Sequence, residues 1–145
     1  MGSAPDGDRR IAGPQEGEQL TFVDTNVFMY AVGRPHPHRD EARDLLRRLR
    51  ASDQGAFTSA EVLQEFVHAY LPVGRLSTLD SALLLARSVA LVRPIEESDV
   101  MAARDLHQSY PALSGRDLIH LAVCFRYDAS DLMTFDRALA GAWRG

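Results

Sequence analysis

Asp24, Glu65, Asp117 and Asp136 are acidic side chains placed where apolar segments of the chain end or begin. Asp24 closes the short apolar run TFVD ahead of the turn-like pair Thr25–Asn26, and Asp136 closes DLMTFD. Glu65 and Asp117 fall early in two apolar-periodic segments, SAEVLQEFVHAY and GRDLIHLAVCFRY. In a parallel α/β sheet, helices begin and ligands bind at the carboxyl edge of the strands, so all four can converge on one edge. Carboxylates gathered there repel one another and are costly unless cations neutralise them. The chemistry such a set would carry is metal-assisted hydrolysis with Mg2+ or Mn2+ as the cofactor.

Each acid also has a structural reading. Asp24 suits a turn or a helix N-cap, and Thr25 and Asn26 would serve that turn equally well. Thr58 and Glu61 stand three apart, the spacing of a capping box, which accounts for Glu61 without chemistry. Glu65 lies one turn further in, towards the buried face of its helix, and its competing reading is simple exposure. Ser114 and Asp117 have capping-box spacing too, but a first-turn carboxylate also stays ionised, and the free N–H groups beside it suit a phosphate. Thr134 can hydrogen-bond a carboxylate or a bound water next to Asp136, whereas Asp131, at the other end of that strand, reads as structural. His36, His38, His68, His107 and His120 show no metal-ligand spacing; Asp117 and His120, three apart, form one weak pair. A single Cys excludes a Cys/His zinc site, and neither G-x-S-x-G nor a Gly-rich phosphate loop is present.

Alternation of apolar runs and helical periodicity supplies the elements that must position these residues. LTFV, GAFT, VALVR and DLMTF read as strands. Helices are expected from about His38 to Arg50, over SAEVLQEFVHAY, over STLDSALLLARS with Ser77 as N-cap, over ESDVMAARDLHQSY and over GRDLIHLAVCFRY. RALAGAW adds one or two helical turns, while Pro35 and Pro37 keep the loop at RPHPH from being helical. The order β-α-β-α-α-β-α-α-β-α predicts an α/β fold: a mostly parallel sheet of four to five strands between two layers of helices.

At 145 residues the chain is long enough for one domain with its own core. Residues 1–19, rich in Gly, Pro and charge, read as a disordered leader, and 20–145 as the folded domain. The net charge is −4, so the chain is not a generally basic nucleic-acid reader, although a bound cation would invert the potential at an acidic site. Lysine is absent, which excludes a P-loop or a Schiff base; a GC-rich coding bias explains the all-Arg usage better than phosphate recognition does. Arg39, Arg43, Arg47 and Arg50, interleaved with Asp40 and Asp44, read as a solvated helix face. Cys124 sits in the apolar run HLAVCF and reads as a core residue that fits a reducing compartment. The longest apolar stretch, ALLLARSVALV, is broken by Arg87 and too short for a membrane span, and residues 1–19 have no apolar signal core. A cytoplasmic location with no membrane partner is expected.

Taken together, FVDTNVFMY, TSAEVLQEF, LSGRDLIHLA and LMTFD resemble the PIN-domain ribonucleases, and in particular the VapC-type toxins of toxin–antitoxin modules. The match runs from residue 20 to about 140. It implies a metal-dependent endoribonuclease with Asp24, Glu65, Asp117 and Asp136 as metal-binding acids, and Asn26 and Thr134 as supporting or substrate-facing polar residues. It also implies an RNA substrate, a cognate antitoxin and a homodimer. The final edge strand of the family is expected to be absent or reduced to AGAWRG. The main alternative is a non-catalytic PIN-like scaffold for RNA or protein, against which stands the presence of all four acids. A response-regulator receiver wants paired acids after the first strand and a Lys; a haloacid-dehalogenase-like phosphatase wants a second Asp where Asn26 stands.

Overall fold

Every strand in residues 20–145, the part described by the computed structural model, runs parallel to its neighbours. The leader 1–19, and the expectation of disorder there, lie outside the described residues. The chain passes through β1 (Leu20–Val23), α1 (Thr25–Val32), α2 (Arg39–Ala51), β2 (Gly55–Ser59), α3 (Ala60–Tyr70) and α4 (Leu76–Val89). It continues through β3 (Leu91–Arg93), α5 (Glu97–Leu106), α6 (Gly115–Arg126), β4 (Asp131–Met133) and α7 (Arg137–Arg144). The strand order is β3-β2-β1-β4, with Phe22 opposite Phe57 and Leu132. A parallel sheet of four strands carrying helices is the architecture expected from the alternation of patterns.

β1 occupies the centre and is buried at each of its positions, which requires cover on both faces. Helices α1 to α4 pack on one another; α5 packs on α6, which also meets α7. Phe22 meets Phe57 edge-on at 5.3 Å between ring centroids, and Phe28 of α1 meets Phe66 of α3 at 5.9 Å. These apolar contacts hold the sheet and the first helical layer together. Cys124 is fully buried, a core residue as expected. Asp44 pairs with Arg47 at 3.2 Å and Arg48 at 3.3 Å on the exposed side of α2, the solvated face that the charge pattern predicts.

Several local expectations are corrected. Thr25–Asn26 is not a turn but the first turn of α1, because Asp24 caps that helix: its Oδ1 accepts the Thr25 N–H at 2.7 Å. α4 starts at Leu76 with Arg75 in the N-cap position, so Ser77 lies inside the helix. Thr58 does not cap α3. Its hydroxyl donates to the Val23 carbonyl at 2.9 Å, and Ser59 accepts the Val62 N–H instead. Glu61 therefore loses the structural explanation that the Thr58 spacing had offered. β4 ends at Met133, and Asp136 is the N-cap of α7, accepting the Leu139 N–H at 3.1 Å. AGAWRG lies almost wholly in α7, so it forms no edge strand.

Candidate active site

Parallel strands send all their carboxyl ends to one edge, and the acids collect there. Asp24 follows β1 directly and is buried, 4% exposed. Its N–H donates to the Met133 carbonyl at 3.0 Å, extending the β1–β4 pairing by one residue beyond Val23. Its Oδ2 accepts the Thr134 hydroxyl at 2.7 Å and the Asn26 side-chain amide at 3.4 Å. Asn26 also donates to Thr134 at 3.2 Å and accepts the Phe135 N–H at 3.1 Å, while the Asp136 N–H donates to Thr134 at 3.0 Å. Asn26 and Thr134 thus brace Asp24 and the segment leading to Asp136 as a single network.

Glu65 reaches the same place from α3, with a side chain 16% exposed. Its Oε2 accepts the Thr25 hydroxyl at 2.8 Å and stands 2.6 Å from His120 Nε2. His120 Nε2 is also 3.5 Å from Asp24 Oδ1, so the imidazole bridges two of the acids. Burial pushes the Glu65 carboxyl up, but the hydrogen bond and charge of His120, the Thr25 hydroxyl and Arg116 outweigh it and hold Glu65 below the usual carboxylate range. For His120, burial pulls the pKa down; the hydrogen bond to Glu65 and the charges of Asp24, Glu65 and Asp117 raise it above the ordinary imidazole value.

Asp117 sits in the first turn of α6, which Ser114 caps by accepting the Asp117 N–H at 3.2 Å. Burial, then the charges of Asp136 and Asp24, push its carboxyl up, with His120 and Ser114 opposing. That mutual repulsion is the electrostatic signature of acids facing one another. All four sequence-predicted acids therefore meet at one edge, together with Asn26 and Thr134.

Three neighbours join them: His120, read from sequence only as a weak pair with Asp117, Glu61, read as a capping residue, and Arg116, which was given no role. His120, fully buried, joins Glu65 to Asp24. Glu61 is raised by burial and feels His120, Glu65 and Arg116. Arg116, half-exposed, lies 3.9 Å from Glu65 Oε1. The usable signal for His120 was its place inside the buried run of α6, one turn after Asp117.

Among the described residues, no three acidic, His or Cys side chains are already spaced as the ligand shell of one ion. The donors nevertheless fit a hard divalent cation: they are carboxylates, and Asp117 carries the repulsion that a cation would relieve.

Residues 21–142 match the PIN domain family. The chain belongs to that family. Within it, the chain is 52% identical over 125 residues to a protein of Mycobacterium tuberculosis named Ribonuclease VapC23, an alignment covering 86% of this chain and 99% of the relative. The fold of this PIN domain is shared with the crystal structure of M. tuberculosis VapC20, described as a sarcin–ricin loop cleaving toxin: TM-score 0.70, 18% identity, covering 84% of this chain and 94% of that one. It is also shared with VapBC2 of Rickettsia felis, crystallised on a DNA fragment from its promoter: TM-score 0.65, 17% identity, covering 81% and 88%. No helix among the described residues is long and apolar enough to cross a membrane.

Proposed function

We propose that this PIN domain is a Mg2+- or Mn2+-dependent endoribonuclease and the toxin of a type II toxin–antitoxin pair. The observation that carries the reading is the convergence of Asp24, Glu65, Asp117 and Asp136, from four separate segments, on one sheet edge. The identity to a ribonuclease over nearly its whole length supports RNA as the substrate. The likeness to a VapBC assembly supports an antitoxin as the partner. A homodimer in the cytoplasm completes the proposal, and light scattering of the purified chain checks the dimer.

The chain's own residues divide the work as follows. Asp24 and Asp117 would hold the cation directly, while Glu65 and Asp136 would act through water or orient a water for attack. When bound, the cation supplies charge neutralisation and Lewis-acid activation at the phosphodiester. Asp24 is held for this role by the Thr25 N–H, the Thr134 hydroxyl and the Asn26 amide, which together leave its carboxylate no free rotation. His120 does the same for Glu65, and the hydrogen bond keeps that carboxylate ionised. The first-turn N–H groups of α6 and the half-exposed Arg116 offer positive potential to a phosphate beside Asp117.

The test is incubation of total cellular RNA with antitoxin-free protein in Mg2+, in Mn2+ and in EDTA, alongside Asp24→Asn. Discrete fragments that require the metal and vanish in the variant are expected. Intact RNA under every condition removes the nuclease and leaves the scaffold reading.

A further inference from the structure

Four rings stand beside the acids, and the chemistry proposed above uses none of them. Tyr30 stacks on His36 at 4.2 Å between centroids with planes 20° apart, and His38 stacks on Phe135 at 4.6 Å and 27°. The two pairs meet edge-on through Tyr30 and Phe135, at 5.2 Å and 78°. Phe135 separates Thr134 from Asp136 in the chain, and its N–H is bound to Asn26. The cluster therefore begins at the acids and extends outward along the loop between α1 and α2. Its inner members, Tyr30 and Phe135, pack against the core. Its outer members do not: His36 is exposed and the His38 side chain is 46% exposed. The His38 N–H donates to His36 Nδ1 at 3.0 Å, and Pro35 and Pro37 restrict the backbone between α1 and α2.

We infer that this cluster is a nucleobase-stacking platform, on which a base of single-stranded RNA next to the scissile phosphodiester rests against the outer faces of His36 and His38. The inference rests on the RNA-cleaving reading of the site. A hydrolytic centre holds the phosphate and carries no contact to a base, so any hold on the nucleotide's base comes from groups beside it. Planar π-faces pre-stacked on the partly buried rings of Tyr30 and Phe135 provide that contact at little cost in side-chain freedom. A partner protein would instead seek a pocket for an apolar anchor. Here the outer rings are the polar imidazoles, and they lie flat on the rings behind them.

Fluorescence anisotropy with labelled eight-nucleotide oligo(A) and oligo(U), in EDTA so that no strand is cut, tests this. His36→Ala/His38→Ala should bind the better oligonucleotide roughly tenfold more weakly than wild type, given the usual worth of one stacked base. An abasic eight-unit backbone should bind both proteins equally. His36→Phe/His38→Phe should regain most of the affinity; it too lacks the hydrogen bond into His36 Nδ1, so recovery assigns the effect to stacking. Equal affinity of wild type and the alanine variant for both oligonucleotides, no detectable binding included, overturns the inference and leaves the rings to a protein partner. Cleavage of total RNA by wild type in Mg2+ is scored separately. Base-dependent binding without cleavage would keep the platform and remove the nuclease, whereas cleavage with unchanged binding would do the reverse.

Discussion

Asp24 caps α1, extends β1 towards β4 and heads the acidic cluster, so its substitution must be chosen to separate these roles. Asn is as good an N-cap as Asp: its one oxygen can still accept the Thr25 N–H, while its NH2, standing in place of Oδ2, donates to the Thr134 hydroxyl oxygen instead of accepting from it. Asp24→Asn is therefore expected to keep its melting temperature within a few degrees while losing more than roughly 100-fold in RNA cleavage, since even outer-shell substitutions at metal sites cost 10- to 100-fold. Thr134→Ala belongs to that milder class: it removes the 2.7 Å bond to Asp24 Oδ2, and about a 10-fold loss of activity at limiting Mg2+, with a higher Mg2+ concentration needed for half-maximal rate, is expected. Activity of Thr134→Ala equal to wild type at limiting Mg2+ would show that the bond positions nothing. Asp24 and Asp136 were legible because each closes an apolar run, where a charge needs a reason; Glu65, inside its helix, was singled out only by the resemblance to the PIN-domain pattern. His120 was not legible. Its partner Glu65 is 55 residues away, and an imidazole within a buried run looks like core until that partner is seen.

At the scale of elements, periodicity carried the strands and most helices, but capping chemistry misled it. D-T-N has the composition of a turn; only the fold reveals that Val27, Phe28 and Ala31 have a layer to pack into, which converts the turn into α1. Thr58 faced a similar ambiguity, and its hydroxyl went to the neighbouring strand end rather than to its own helix. The α5–α6 pair shows what sequence does not expose at all. Asp99, 1% exposed, receives Arg126 Nε at 2.8 Å on one oxygen and Nη2 at 3.0 Å on the other, and also accepts the Glu96 N–H at 2.8 Å within the capping box of α5. Removing it strands a guanidinium and uncaps a helix together. Asp99→Ala is expected to cost about 2–4 kcal/mol by urea denaturation, below the range for a fully buried pair because Arg126 remains partly exposed. Because the pair lies away from the acids, the variant should cleave RNA at the wild-type rate at low temperature. A loss of activity in folded protein would mean that the α5–α6 contact controls the position of Asp117.

For the molecule as a whole, the proposed cation site implies that the acidic edge gives up folding stability for a place to hold the ion, and that exchange has a pH signature. The His120 pKa is raised in the folded state, so the stabilisation it brings is complete below its unfolded value of about 6.5 and is lost as pH rises through the folded one. Asp117, also raised, has the same sign: its contribution falls as it ionises against Asp24 and Asp136. Glu65 is lowered and acts oppositely, its contribution disappearing only as pH falls through its depressed value. Metal-free protein should therefore melt at a falling temperature as pH climbs above the ordinary imidazole value of about 6.5, a loss that begins there because His120 is raised. Binding of Mg2+ to the folded state alone stabilises by mass action, and more strongly once Asp117 is ionised and His120 has lost its proton. The difference between melting temperatures in 10 mM-scale Mg2+ and in EDTA should accordingly widen with pH, by roughly 2–4 °C for each kcal/mol of coupling in a domain of this size. His120→Gln, which keeps a hydrogen-bond donor for Glu65 but cannot take up a proton, should flatten the metal-free slope. A Mg2+ effect of the same size at every pH, or none at all in wild type, would mean that the four carboxylates do not act together as a cation site.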